Sequence, residues 1–528
     1  MSRNPASFPY MSRRELMAGL GGFGLIGFGT MLSAHPVWAN PVFKDYPFQL
    51  GIAAGDPAPD GFVIWTRLAP EPMVPEYGMP KKVVNVDWEV AEDRGFDKIV
   101  AKGTAPARPE VGHAVHVEVT GLQPARPYFY RFTAGSERSA WGQARTTPLA
   151  GADVKGVRFG IVGCQRYEDG YYNAHRHLSR EDLDFVFCYG DYIYEYRGDR
   201  IRGVNERVRY PEGDEIYSLD DYRRRYSQYK MDADLQAAHA AAAWFTVWDD
   251  HEIDNNWVQD IDQDGVDPMY FRLRQQMAMQ AYYEHMPLRL RSFPRGNAMQ
   301  LYRRATYGQL LELNFLDTRQ FRTDQPCGDK WGPACKDIYK AEAEVLGLKQ
   351  EAWLLEGLRG SKARWNSMAQ QIMVMDLHRS YGEEYTVNPD SWAGYRTPRN
   401  RLLKAIRDLK VSNPVFLTGD EHQNYAGELH LEGRKPEKAA IATEFVCTSI
   451  SSGGDGEEIS TGGKMMMARN TEQLKFMNSQ RGYMLCEVAP DAWTTHVKVV
   501  DQISTKGGKL STRAKLTVPH GEAKMLVG

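Results

Sequence analysis

DFVFCYGDYIYEY, Asp184–Tyr196, begins as an apolar run from Phe185 to Cys188 and turns after Tyr189 into glycine, acids and tyrosines. A strand with one wet face alternates apolar and polar residues, because successive side chains point to opposite sides. This run does not alternate, so it predicts a strand covered on both faces, as in a parallel sheet flanked by helices. Such sheets hold ligands outside the carboxyl ends of their strands, which is where Gly190 and Asp191 fall. An isolated strand-Gly-Asp can also be a turn or a helix cap, since a carboxylate accepts from free amides. The surrounding chain decides between the two.

After Pro148 the same texture recurs. VRFGIVGCQ, WFTVWDDHE, QLLELNFLDTR, QQIMVMDLH and PVFLTGDEH read as strands, separated by helical stretches such as DLQAAHAAAA, RLRQQMAMQAYYEHM and KQEAWLLEGLR. Strand ends deliver Cys164 with Gln165, Asp191 with Tyr194, Asp249 and Asp250 with His251, and Asp420 with His422. If these strands form one parallel sheet, the groups converge on one edge. Gathered acids, thiol, phenol and imidazole are costly to bury unless cations balance them, so the pattern predicts a metal cluster.

Residues from about Pro47 to Thr147 read differently, as short alternating runs broken by Gly, Pro and charged turns. They predict an antiparallel β-sandwich, and VTGLQPARPYFYRF resembles a fibronectin type III strand pair with Leu122 and Tyr130 in its core. The expected class is thus α+β and multidomain: a fibronectin type III-like β-sandwich followed by an α/β sandwich. The expected segments are a leader over 1–39, the β domain over 40–148 and the α/β domain over 149–528. SISSGGDGEE, Ser449–Glu458, reads as a flexible loop.

A chain of 528 residues exceeds one ordinary core, and its net charge of -3 provides no overall field for nucleic acid. Arg13 and Arg14 precede a Gly-, Leu- and Phe-rich run that ends near Ala39, the pattern of a cleaved twin-arginine signal peptide. The run is too glycine-rich and short for a membrane span, and no later stretch reaches about 18 apolar residues. Export by the twin-arginine machinery to the periplasm or the medium follows. It delivers folded protein, so metal can be loaded first. Cys327 and Cys335 flank a short Gly/Pro-rich loop whose ends could meet, and an oxidising compartment would permit a disulfide there.

GIAAGDPAPDGFVIWTRL, GDYIYE, WDDHEIDNN, LDTRQFRTDQPCG, RWNSMAQQ and LTGDEHQNYAGEL occur in this order and together resemble the alkaline phosphatase D (PhoD) family. The resemblance spans the chain beyond the leader. It implies that 40–148 is an N-terminal β domain, that 149–528 is a catalytic metallophosphatase domain with an α/β metallophosphoesterase-type sandwich, and that the protein is a phosphoester hydrolase of the alkaline-phosphatase class. It further implies Asp191 as the metal bridge and an iron and calcium site. Cys164, Asp191, Tyr194 and His422 suit Fe³⁺, while Asp191, Asp250 and Asp420, richer in oxygen than the related histidine-bearing sites, suit one or two Ca²⁺. Asp249 and Asn255 are further candidate ligands.

Two bridged cations would activate water and clamp phosphate, leaving His251 to meet a phosphate oxygen or protonate the leaving group. Arg166 and Arg197 follow two of the strands and are candidates for phosphate, or are surface arginines. His175 and His177 sit in an expected helix and read as packing, Cys188 as an inert buried thiol, and Asp317 and Arg319 as support for the loop bearing Cys327. The expected substrates are phosphoester small molecules or phosphate polymers. A phosphodiesterase or phospholipase D-like activity is the enzymatic alternative, with any lid coming from the segment after Arg481. A non-catalytic exported metal-binding protein is the other.

Overall fold

Phe185–Cys188 lies inside a ten-stranded sheet in a computed structural model that describes residues 35–198, 208–431 and 439–528. The twin-arginine stretch falls outside these residues. Val157–Val162, Phe185–Cys188, Ala243–Thr246 and Ile52–Ala58 run parallel at the sheet's centre. Antiparallel strands from the two ends of the chain extend it on either side.

The unalternating run is buried twice over. Phe185 and Phe187 enter one core with Phe159, Phe245, Phe315, Trp365 and Leu417, while Val186 and Cys188 enter another with Tyr226, Leu235, Trp244 and Tyr282. The first core belongs to a second sheet of seven strands, in which Leu311–Phe315, Trp365–Ala369, Pro414–Thr418 and Ala442–Val446 are parallel. Ring contacts join the sheets: Phe187 and Phe315 have centroids 5.5 Å apart, and Phe245 and Phe315 4.4 Å. Each such aromatic contributes roughly 1.5–3 kcal/mol by leaving water. Helices Leu219–Lys230, Ala233–Ala241 and Pro268–His285 cover the outside of the first sheet, and Gly347–Gly360 and Arg396–Asp408 that of the second.

The condition that all these strands share one parallel sheet is not met: the polar strand ends come from two sheets packed face to face. Hydrophobic runs announce burial on both faces without saying whether a helix or another sheet covers them. A second correction concerns QQIMVMDLH. The strand is Trp365–Ala369, just before it. Val374 and Met375 donate their amides to the Glu444 carboxylate, both at 2.8 Å, and the Val374 carbonyl accepts from Arg399 at 2.7 Å. Side chains thus satisfy backbone that a ladder would otherwise pair.

The β-rich N-terminal region divides between layers. Val84–Ala91, Ile99–Ala107, Pro127–Ala134, Glu137–Arg138 and Gly142–Arg145 make a five-stranded antiparallel sheet. Its partner layer, Ile52–Ala58, Gly61–Arg67 and Ala114–Val119, is the edge of the ten-stranded sheet, with Leu122 and Tyr130 in the shared core. The segment after Arg481 contributes four strands to the opposite edge and is committed to the sheet, not free to form a lid. No helix among the described residues is long and apolar enough to cross a membrane.

Candidate functional site

Polar groups gather where the carboxyl ends of both sheets meet, on backbone that is bent sharply. Cys164, Asp191, Asp420 and His422 all take left-handed conformations, with φ of 49°, 55°, 64° and 55°. Non-glycine residues reach this region at a cost of about 1–3 kcal/mol each and cluster where function requires it. Gly190 has φ 128°, and a Cβ there would lie 2.3 Å from the Asp249 amide nitrogen. Glycine is needed both for the turn and for the close passage of the Asp249 strand end.

Hydrogen bonds tie the strand ends to each other. Cys164 and Gln165 amides donate to the Gly190 and Asp191 carbonyls at 3.1 Å each. The buried Glu252 carboxylate accepts from the amides of Tyr192 at 2.7 Å and Asp249 at 3.0 Å, bracing two loops. Burial pushes its carboxyl up to about 8, against the pull of these donors. Arg225, from helix Leu219–Lys230, donates to the carbonyls of Tyr194 and Tyr196.

One group of side chains centres on an oxygen of Asp191. Asp191 Oδ2 lies 2.6 Å from the Tyr194 hydroxyl, 3.3 Å from Cys164 Sγ and 4.0 Å from His422 Nε2, and the Tyr194 hydroxyl is 3.1 Å from His422 Nε2. The His422 side chain is 36% exposed, which opens this group to solvent. Asp249, Asp250 and Asp420 offer carboxylate oxygens within 4.8 Å of one another, and carboxylate oxygens of Asp191 and Asp250 lie within the same distance of a ring nitrogen of His251.

Oxygens of Asp191, Asp249 and Asp250 are buried with no hydrogen-bond partner. Burial, and next to it neighbouring acids, hold the Asp191 and Asp420 carboxyls well above their usual range. Orphaned buried oxygens beside a thiol, a phenol and an imidazole are what a set of metal ligands looks like without its cations, so the donors fit a metal cluster. The soft and phenolic donors lie on one side of Asp191 and the carboxylates on the other.

His251 Nδ1 lies 2.7 Å from Glu195 Oε2, and its ring stacks on Tyr194 at 4.1 Å between centroids. Burial opposes charging of this imidazole, yet Asp250, Glu195 and Asp191 raise its pKa well above the ordinary value. Glu195 also accepts from the Asn255 amide at 3.0 Å. Sequence reasoning missed Glu195, although it stands in the opening stretch four residues after Asp191; its signal was an acid within a tyrosine-rich strand end.

Arg319, expected from the sequence to support the loop bearing Cys327, reaches the acidic cluster. Its fully buried guanidinium donates to Asp249 Oδ1 at 2.6 Å, lies 3.7 Å from Asp250 Oδ1 and pairs with Asp390 at 3.0 Å. Asn255 donates its side-chain amide to Gln263, away from the carboxylates, while the Asn256 amide holds Asp250 Oδ2 at 2.8 Å. Cys327 and Cys335 are disulfide-bonded, and Asp329 within their loop accepts from Asn256 and Gln263 at 2.8 Å each, so the loop braces the His251 segment.

Arg166 is buried beside Tyr194, pairing with Glu168 at 2.7 Å. Arg197 points outward, 3.3 Å from Asp214, and is not brought to the cluster. His175 and His177 bond to Gln165 and the Gly508 carbonyl, each at 2.7 Å, and Cys188 is buried in the core. The Ser449–Glu458 stretch, read as flexible, is a wall of the site: Ser452 Oγ bonds the Cys164 carbonyl at 2.7 Å and the Tyr194 hydroxyl at 2.8 Å. Arg481 anchors it through Ser449 and Gly454 and also holds the His422 carbonyl.

The PhoD-like phosphatase family matches residues 159–497, and the PhoD-like phosphatase N-terminal domain matches residues 33–148. The chain is 43% identical over 506 residues to alkaline phosphatase D of Bacillus subtilis (strain 168), covering 95% of this chain and 86% of that protein. A solved structure of PhoD superposes with a TM-score of 0.90 at 43% identity, covering 92% of this chain and 93% of the other. The purple acid phosphatase PPD1 from yellow lupin (Lupinus luteus) seeds shares the fold at 13% identity, with a TM-score of 0.53 over 89% of this chain and 74% of its own. With a relative this similar over nearly its whole length, the chain belongs to the PhoD-like phosphatase family.

Proposed function

We propose that this protein is an exported, metal-dependent phosphoester hydrolase of the alkaline-phosphatase class. The observation that carries the reading is the shared Asp191 carboxylate, with the thiol, phenol and imidazole on one side and orphaned buried carboxylate oxygens on the other. Cys164, Asp191, Tyr194 and His422 would hold Fe³⁺, and Asp191, Asp250 and Asp420 one or two Ca²⁺, with Asp249 as a further ligand. The bound ions would supply Lewis-acid activation of water and charge neutralisation at phosphate.

The chain's own residues do the rest. Arg319 orients Asp249 and lies close to Asp250, limiting repulsion between the acids. Glu195 fixes the His251 ring through Nδ1 and favours the protonated imidazole, leaving Nε2 to donate a proton to the leaving oxygen. Arg166, buried beside Tyr194 and paired with Glu168, is the candidate for a phosphate oxygen. Residues 40–148, resembling a fibronectin type III sandwich, act as a scaffold on the edge of the catalytic sheet, and 149–528 form the catalytic unit. The Arg13–Arg14 pattern and the Cys327–Cys335 disulfide support twin-arginine export to the periplasm or the medium.

The test is hydrolysis by metal-loaded mature protein of a nitrophenyl monoester, a bis-nitrophenyl diester and a phospholipid. Preference for the monoester supports the phosphatase reading, and preference for the diester or lipid supports a phosphodiesterase or phospholipase D-like enzyme. Inactivity on all three would leave a metal-binding surface protein.

A further inference from the structure

A cavity of about 1180 Å³ lies on the other side of the loops that carry Asp250 and Arg319. It is an open cleft lined by the first turn of helix Gly347–Gly360, residues of helix Pro268–His285 and the 291–302 segment, with Trp257 and Gln320 in its wall. Four cationic side chains line it: Arg272, Arg291, Arg295 and Lys349. The one acid in the lining, Asp260, is paired with Arg272. Among the described residues, no hydrogen bond or ion pair engages the charged ends of Arg291, Arg295 or Lys349. The helix that contributes Lys349 also starts without a side-chain cap, which leaves amide donors at the same mouth.

Among the described residues, Arg295 and Lys349 face the cavity without an acidic partner, and Arg291 has only the longer-range pull of Asp56 and Glu118, so the lining carries a net positive charge that attracts anions. We propose that this cavity is an exosite for a phosphate chain: it holds several successive phosphates of a polyanionic substrate while another segment reaches the metal centre. The chemistry of the lining is that of multiply charged phosphate, because guanidinium groups bind phosphate oxygens bidentately and the ammonium adds a point charge. Trp257 follows Asn256, which holds Asp250, and Gln320 follows Arg319, which holds Asp249, so cavity and catalytic cluster share two loops. The substrate part of this inference rests on the phosphoester hydrolase reading.

The test uses the full-length mature protein, metal-loaded, and the triple variant Arg291→Glu/Arg295→Glu/Lys349→Glu. All three positions are exposed, and an unchanged melting temperature confirms that the variant folds. Calorimetric titration with short inorganic polyphosphate should show one strong, salt-sensitive site beyond the metal centre in the wild type and none in the variant. The variant should keep its nitrophenyl-ester kinetics while KM for the polyphosphate, or for a phosphodiester polymer, rises about 10- to 100-fold, from about 2- to 5-fold per exposed charge contact. Unaltered stoichiometry and salt dependence would overturn the exosite. So would equal affinity of the cavity for single inorganic phosphate, which would make it a free-anion site. If neither protein hydrolyses any phosphoester while polyphosphate still loses its extra site in the variant, the hydrolase reading fails and the anion site stands.

Discussion

Glu195→Gln isolates the role of the buried acid behind His251. The change conserves volume and removes one charge. Glu195 accepts twice, from His251 Nδ1 at 2.7 Å and from the Asn255 amide at 3.0 Å, so both carboxylate oxygens are used. A carboxamide can accept at only one of these positions and turns an NH₂ toward the other. If it keeps the Asn255 amide, Nδ1 of His251 must become an acceptor, and the ring loses its imidazolium form. A charge-assisted hydrogen bond is worth about 1.5–3 kcal/mol, which as lost transition-state stabilisation is about 10- to 150-fold in kcat. His251→Ala marks the floor, about 10²- to 10⁴-fold down if the ring is the general acid. The assay compares kcat on nitrophenyl and alkyl phosphates, with metal content determined in parallel. The loss should be larger for the alkyl ester, whose leaving group needs the proton more, while KM and metal content hold. Equal losses on both esters, or departure of metal from Glu195→Gln, would refute the positioning role.

Asp191→Ala should abolish turnover and empty the cluster of metal by elemental analysis, because both ligand groups share this carboxylate; substantial activity would contradict the bridge. A phenolate on Fe³⁺ would give the protein a visible band, so if Tyr194 holds iron, Tyr194→Phe should bleach that band, and a calcium chelator should remove activity from the wild type with most of the colour left. Gly190→Ala should cost metal occupancy and stability together, since the new Cβ meets the Asp249 amide at 2.3 Å and the left-handed turn adds about 1–3 kcal/mol of strain. Away from the cluster, Lys230 is buried under the rings of Trp65 and Tyr192, and burial lowers its pKa from 10.5 to about 7. The unfolded chain therefore binds more protons between these values, and stability should rise with pH from about 7 to about 10.5, by a few kcal/mol. Lys230→Met should flatten that rise in denaturant unfolding and be the more stable protein at pH 7; an unchanged slope would exclude Lys230 as its source.

Much of this protein was legible in its residues. The unbroken apolar run at Phe185–Cys188 announced a strand buried on both faces, and acids, Cys164, Tyr194 and His422 after strand-like runs pointed to a cluster of candidate metal ligands, because such groups are too costly to gather without compensation. Local composition carries that information: period, chain breakers and the chemistry of each side chain are properties of a short window. Pairing is not. That Asp420 and Arg319 arrive from a second sheet, that Ile372–Leu377 is buried without being a strand, and that Ser452 closes the site from an apparently loose loop depend on partners far along the chain. So do the roles of Glu195 and Arg319, residues that would be expected on a surface until burial removes water and leaves His251, Asp249 and Asp250 as the charges able to compensate them. Residue type determined which chemistry was available; only the packing of two sheets, which sets distance and excludes solvent, decided which of those groups meet.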